Sequence, residues 1–298
     1  MTAVRQPLKF QLGARTLFAI PRRLVRVSLA LDEVLGDAPP VLPPLPREAD
    51  GYSITSLPAA WAPAVGARGL IAYPRLAYAR SYVDLTQGEA AFLAGLSANT
   101  RSGIKRKAKK LAGAGMTIRA YRTPDELATF HARALPLAAR TYQARLLGSA
   151  LPGDTAFVQA MLRRAASDAA RAWLLLIDER PVAYLYGAAE GATLRYDYVG
   201  HDPEFAELSP GSVLLFEALK QLLAERRFAR FDFTEGDGQH KRQFATGGVA
   251  CQDLLLLRPS LANRAALAAL AAFDRGAERG KALVARLGLE RAARRVRR

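Results

Sequence analysis

The N-terminal third alternates between apolar and polar positions over short spans. "TLFAI" and "LVRVSLAL" within 7–30 predict two short strands separated by Pro21-Arg22-Arg23. Residues 36–50, "GDAPPVLPPLPREAD", hold five prolines and predict an extended arm or linker. "RGLIAYPRLAYARSYVDL" (68–85) is again extended in pattern. A helix is expected over 88–96 and a second after Ser97, whose hydroxyl is placed to cap it. In that second helix Ile104, Ala108 and Leu111 make one apolar stripe, and Gly113 and Gly115 end it.

From position 116 the pattern becomes regular. "MTIRAYR" predicts a strand, and Thr123-Pro124 with Glu126 predicts the start of a helix that Pro136 kinks or divides. Another helix is expected within 153–170. Residues 172–200 predict three antiparallel strands turning at 178–181 and at Glu190-Gly191. "SPGSVLLFEALKQLL" opens a helix over 209–226, with Val213, Phe216, Leu219 and Leu223 facing inward. Strands follow at 229–236 and 250–259, then an Ala- and Arg-rich helical tail over 260–298, interrupted near Gly276, Gly280 and Gly288. Strands interleaved with helices around a three-strand meander predict an α/β (α+β) fold with a mixed, largely antiparallel sheet. The expected organisation is a strand-rich partial lobe over 1–90, a main domain over 91–259 and the basic tail.

Composition narrows the function classes. Half of the 298 residues are hydrophobic and 23% are charged, which is globular usage. No apolar run is long enough for a membrane span, and Arg5, Lys9, Arg15, Arg22, Arg23 and Arg26 break up any signal-peptide core. Cys251 is the single cysteine, so no intrachain disulfide forms and a reducing cytoplasm is the expected location. With His131, His201 and His240 at no ligand spacing, a zinc site is not expected. The net charge is +16 and unevenly placed. Residues 101–110 carry six basic residues and no acidic one; 261–298 carry ten basic and three acidic. Such runs are either solvated helix faces or attractors of a phosphorylated cofactor, a nucleic acid or an acidic membrane surface.

Two stretches carry candidate chemistry. The helix start Ser209-Pro210-Gly211-Ser212-Val213 follows a strand, and free N–H groups at such a start favour an anion. An ordinary capped helix would look the same. In "FDFTEGDGQHKRQF" alternation sets Phe231 and Phe233 on one face and Asp232 and Thr234 on the other. Glu235, Asp237, His240 and Lys241 crowd the strand's end, where a carboxylate or imidazole is placed to take a proton from an attacking amine. On 193–199 Arg195 and Asp197 share a face, while Leu194, Tyr196 and Tyr198 share the other. Asp197 is either a base or the partner of Arg195. Tyr184, Tyr186, Tyr196 and Tyr198 form an aromatic group, mostly core, in which one hydroxyl is available to orient a substrate. No phosphate-binding GxxxxGK[ST], GxGxxG after a strand, or GxSxG elbow occurs.

The order "LSANTRSGIKRKAKKL", "PVAYLYGA", "RYDYVGHDPEFAELSPGSVLLFEAL" and "FARFDFTEGDGQHKRQFAT" resembles the GNAT-fold acyltransferases of the CelD and FemAB-related type, often called BioF-type acetyltransferase-like domains. The resemblance covers roughly 95–255 and is strongest over 181–246. It implies N-acyl transfer to an amine acceptor, such as an amino sugar or amino acid, from acetyl-CoA or another acyl-CoA. It implies a donor site at Ser209, Pro210, Gly211, Ser212 and Val213. It places Asp197, Asp232, Glu235 and His240 as candidate proton acceptors, and Tyr184, Tyr196 and Lys241 beside the substrate. FemAB-like relatives use aminoacyl-tRNA, which would suit the basic stretch 101–110. A non-catalytic partner in envelope polysaccharide assembly, its basic tail touching a membrane, is the third expectation.

Overall fold

The structure is a computed structural model that describes residues 3–12, 15–66, 69–141, 150–236 and 238–286, with side chains as far as 280. In chain order the elements begin with β1 (Val4–Leu12), β2 (Arg15–Ser28), α1 (Leu31–Val34), β3 (Gly51–Pro58), α2 (Ala62–Gly66) and β4 (Ile71–Asp84). Next come α3 (Gly88–Gly95), α4 (Ala98–Ala112), β5 (Met116–Tyr121), α5 (Pro124–Ala138), α6 (Thr155–Ala166), β6 (Ala170–Ile177) and β7 (Arg180–Glu190). The last are β8 (Thr193–Arg195), β9 (Tyr198–His201), α7 (Pro210–Glu225), β10 (Arg230–Asp232), α8 (Gln239–Phe244), β11 (Gly247–Leu257) and α9 (Leu261–Arg286). Two compact units result: 1–77 with 250–298, and 78–249.

In the first unit β1 is antiparallel to β2, β2 parallel to β3, and β3 antiparallel to β11. The run through Pro21 is one continuous strand rather than two. Pro7 stands opposite Pro21, so both missing N–H groups fall on one rung. β3 was not anticipated, although Tyr52 and Ile54 alternate with Ser53 and Thr55. Leu8, Phe10, Leu24, Leu255 and Leu257 pack with Ala266, Leu267 and Leu270 of α9. That helix continues through Gly276 and Gly280, which meet nothing within 4 Å. Each costs about 1 kcal/mol relative to alanine, too little to break a helix rich in Ala, Leu, Arg and Glu. Gly288 and the rest of the tail lie outside the described residues. The proline-rich 36–50 has no regular element; the Arg258 guanidinium holds its end through the Ala49 and Pro46 carbonyls, at 2.9 and 3.0 Å.

The second unit is a sheet with helices on both faces. β5, β6 and β7 run antiparallel, β7 continues onto β8 and β9, and β10 is parallel to β8 and antiparallel to the end of β4. All eight residues of β6 are buried, which is why "ARAWLLLI" lacks polar alternation. Trp173 and Leu175 join a core with α3, α4 and α7, while Ala172, Leu174 and Leu176 join another with α5 and α6. α5 starts at Thr123 as expected, and there Thr123 and Glu126 form a capping box. Pro136 does not divide it: it sits two residues before the helix ends, so only the last residues follow the bond that it removes.

Candidate functional site

The site is built where two neighbouring strands part. β8 and β10 pair in parallel up to Arg195 and Asp232. The Tyr196 N–H donates to the Asp232 carbonyl at 2.9 Å, and there the pairing stops. The next N–H, of Asp197, turns instead to the Tyr186 carbonyl of β7 at 3.2 Å, and β9 continues along β7 alone. The Phe233 N–H turns the other way, to the Ser81 carbonyl. The break at 196–197 also shifts the alternation expected for 193–199. Tyr196 packs with Phe231 and Phe233 on the α7 side, whereas Tyr198 packs with Tyr186 and Phe157 on the α5–α6 side. The four tyrosines are therefore divided between the two faces.

A cavity of about 280 Å³ opens on the α7 side of this gap. Tyr184, Tyr196, Gly200 and His201 line one wall; Ser209, Gly211, Ser212, Leu214 and Leu215 line another, with His240 closing it. Ser209 does not cap α7 with its side chain. It adopts the left-handed conformation (φ 54°), ends the 3₁₀ turn 203–208 and lets its carbonyl accept from Ser212 and Val213 at 3.1 and 3.4 Å. Since Pro210 has no N–H, Gly211 supplies the free backbone donor of the first turn. A Cβ on Gly211 would approach only the His201 Nδ1, at 3.7 Å. Pro210 and Val213 are buried in the core and do not line the cavity.

The remaining polar atoms here are neutral. Burial lowers the pKa of His201, against a smaller opposing effect of Asp202. Burial, aided by Lys241, lowers that of His240. Burial pushes the Tyr184 hydroxyl up to about 12, against weaker effects of the Leu151 backbone and the Thr141 side chain that it meets; the His240 Nε2 is buried without a hydrogen-bond partner. Such an orphan costs on the order of 1–3 kcal/mol unless a ligand or water satisfies it.

A second cavity, about 400 Å³, lies on the opposite face and shares Tyr196 with the first. Its lining includes Arg164, Tyr186, Glu190, Arg195, Asp197, Tyr198, Thr234 and Glu235. Asp197 accepts from the Ala188 N–H at 3.1 Å and lies 3.3 Å from the Arg195 Nε. Burial outweighs Arg195 and that N–H, so its carboxyl titrates above the usual carboxylate range. Arg195 pairs also with Glu190 at 2.8 Å.

Asp232 lines neither cavity. It is fully buried and receives Arg80 through Nε at 3.2 Å and Nη2 at 2.6 Å, and it accepts from the Thr234 N–H at 2.8 Å. The strand expected over 229–236 ends at Asp232 because this ion pair and the left-handed Thr234 and Gly236 fold the chain into a turn. The Lys241 ammonium faces that turn as well, donating to the carbonyls of Glu235 at 2.5 Å, Gly236 at 3.1 Å and Thr234 at 3.4 Å. Asp232 and Lys241 thus clamp the turn that presents Glu235. Arg80, the partner of Asp232, was not anticipated; only the tertiary pairing of β4 with β10 reveals it. Asp237 lies outside the described residues. On α4, Arg101, Lys105, Arg106, Lys109 and Lys110 are exposed. Among the described residues no group of three or more His, Cys, Asp or Glu is placed to share a metal ion.

Residues 98–242 match the family model of the acetyltransferase (GNAT) domain. No curated protein matches the sequence. Among solved structures, the C-terminal domain of a putative lysylphosphatidylglycerol synthetase from Agrobacterium fabrum superposes with a TM-score of 0.52 at 12% identity, covering 74% of this chain and 71% of that one. L-PGS from Bacillus licheniformis gives 0.50 at 13% identity, covering 73% and 71%. The fold is therefore GNAT-like: a mixed, largely antiparallel sheet flanked by helices.

Proposed function

We propose that this GNAT-fold chain is an N-acyltransferase of the CelD and FemAB-related type, moving an acyl group from acyl-CoA, foremost acetyl-CoA, to an amine by direct attack. The observation that carries the reading is the gap at Tyr196 and Asp232. One cavity with a helix start and another with carboxylates meet at a single side chain there. The residues of the first cavity suit an acyl thioester arm. The Gly211 N–H, the Ser209 and Ser212 hydroxyls and the orphaned His240 Nε2 are neutral hydrogen-bonding groups set among apolar walls. Acyl-CoA bound there would supply an acyl group already activated as a thioester.

The chain's own work is positioning and proton removal. Asp197, with its raised pKa, is the base that takes the ammonium proton; Glu235 recognises the cation; the Arg80–Asp232 pair and Lys241 hold the turn in register. Cost follows role: loss of a general base typically lowers turnover about 10²- to 10⁴-fold. The test is release of free thiol from acetyl-CoA with a panel of primary amines, for wild type and Asp197→Asn. Amine-dependent release that the variant loses supports the reading. Release unchanged in the variant removes Asp197 from the role, and no release with any acyl-CoA removes the donor.

One observation favours a second reading, an aminoacyl-tRNA donor: the exposed basic face of α4, a helix whose apolar side, with Ile104 and Leu111, is buried and which packs on α7 and on the 203–208 turn. That reading requires tRNA binding that weakens steeply with salt and with neutralisation of Lys105, Arg106, Lys109 and Lys110. A cytoplasmic location suits both donors. Among the described residues no helix is long and apolar enough to cross a membrane.

A further inference from the structure

The second cavity specifies more than an amine. Asp197 and Glu235 place two carboxylates along its lining. The cation Arg164, on α6, lines the same cavity, is exposed, and has no ion-pair partner among the described residues. Arg195 is different: it is consumed by Glu190 and Asp197. A ligand bringing only an ammonium group would engage the carboxylates and leave Arg164 unmet.

A second residue stands beside Arg164 on the same wall. Tyr186 is 1% exposed and lines this cavity, and its hydroxyl faces the Arg164 guanidinium, which opposes the upward push of burial on the phenol. A guanidinium and a phenol hydroxyl side by side present a set of donors suited to the oxygens of one anionic group. The ring of Tyr198 adds an apolar wall to the same space. The cavity therefore combines carboxylates, a guanidinium without an ion-pair partner among the described residues, the phenol beside it and aromatic faces.

Resting on the acyl-transfer reading above, we infer that the acceptor is a zwitterion: its amine lies toward Asp197 and Glu235, and an anionic group on the same molecule meets Arg164 and the Tyr186 hydroxyl. The anionic group is a carboxylate, as in an α-amino acid, or a phosphate ester, as in a phosphoethanolamine. A guanidinium accepts either through paired N–H donors. In the transfer itself the amine nitrogen forms a bond to the acyl carbon, the carbon–sulfur bond breaks, the thiolate leaves, and the surplus ammonium proton passes to Asp197.

The test uses the full chain and matched ligand pairs, measured by calorimetry: L-phenylalanine with phenethylamine, L-lysine with cadaverine, and O-phosphoethanolamine with ethylamine. At least one zwitterion is expected to bind about 10-fold or more tightly than its partner, as loss of a charge-assisted contact implies. Arg164→Gln is expected to close that gap. The amino acid and phosphate arms distinguish the two anionic sources. Pairs binding alike in wild type, or a gap that survives Arg164→Gln, overturns the inference. Its failure is separable from failure of the acyl-transfer reading. Zwitterion selectivity without thiol release leaves this inference standing alone, and thiol release with plain amines only leaves the reverse.

Discussion

Asp232→Asn is the most informative single substitution. In sequence Asp232 is a candidate base; in the structure it is a buried counter-ion. Its side chain is 1% exposed and that of Arg80 is 3%. Two hydrogen bonds join them, and a third, from Thr234, depends on the same carboxylate. Removing one charge of such a pair leaves the other desolvated, at a cost of about 3–5 kcal/mol. Glu235 stands 3.6 Å from the Arg80 Nη1 and is partly exposed, so it compensates in part and sets the expectation near the lower bound. For a unit of this size each kcal/mol is worth roughly 2–4 °C, so the transition should fall by about 6–12 °C. Calorimetry or circular dichroism during heating reads this directly. The double variant Arg80→Met, Asp232→Leu should recover much of the loss, because no orphaned charge remains. Turnover should fall together with stability, since the turn carrying Glu235 loosens. An Asp232→Asn protein that melts like wild type while losing turnover would place Asp232 on the reacting atoms and refute the clamp.

Two further outcomes follow from the cavity on the α7 side. His201 and His240 both have pKa values below their ordinary 6.5. The unfolded chain then binds protons first as pH falls. The stability they carry is present above about 6.5 and is lost as pH drops through the folded values. Denaturant midpoints should decline on acidification below that point, and His240→Gln should flatten the slope; a slope of unchanged size would show that His240 is not the titrating group. Gly200→Ala should destabilise by about 1–3 kcal/mol, since its Cβ would come within 2.7 Å of the Tyr184 ring and the Thr141 methyl. A melting temperature equal to wild type would show that this wall yields.

Much of the fold was legible because local rules and tertiary packing agree. The Ser97 and Thr123 caps, the meander turns and the α7 stripe are all local signals, and all are realised. The break at Tyr196–Asp197 was not legible, because alternation continues smoothly through "TLRYDYVG". The strands part only because Asp197 pairs with β7 and Phe233 with β4, a competition between distant partners. For the same reason Asp232 and Lys241 read as exposed chemistry. Asp232 is there a candidate proton acceptor and Lys241 a neighbour of the substrate, but Arg80 and three carbonyls claim them in the folded chain. Asp197 and Glu235 do reach one cavity, and Ser209, Gly211, Ser212, Tyr184 and His240 reach the other.

The central claim is that the start of α7 holds the acyl donor. It is tested most directly by titrating acetyl-CoA into wild type and into Gly211→Phe. Alanine at 211 has room, with 3.7 Å to His201, whereas a benzyl side chain would occupy the space between the two walls. Saturable binding to wild type, weakened at least about 10-fold in Gly211→Phe while its melting temperature stays close to wild type, is the predicted result. Equal affinity in both proteins, or no binding to wild type, would contradict it.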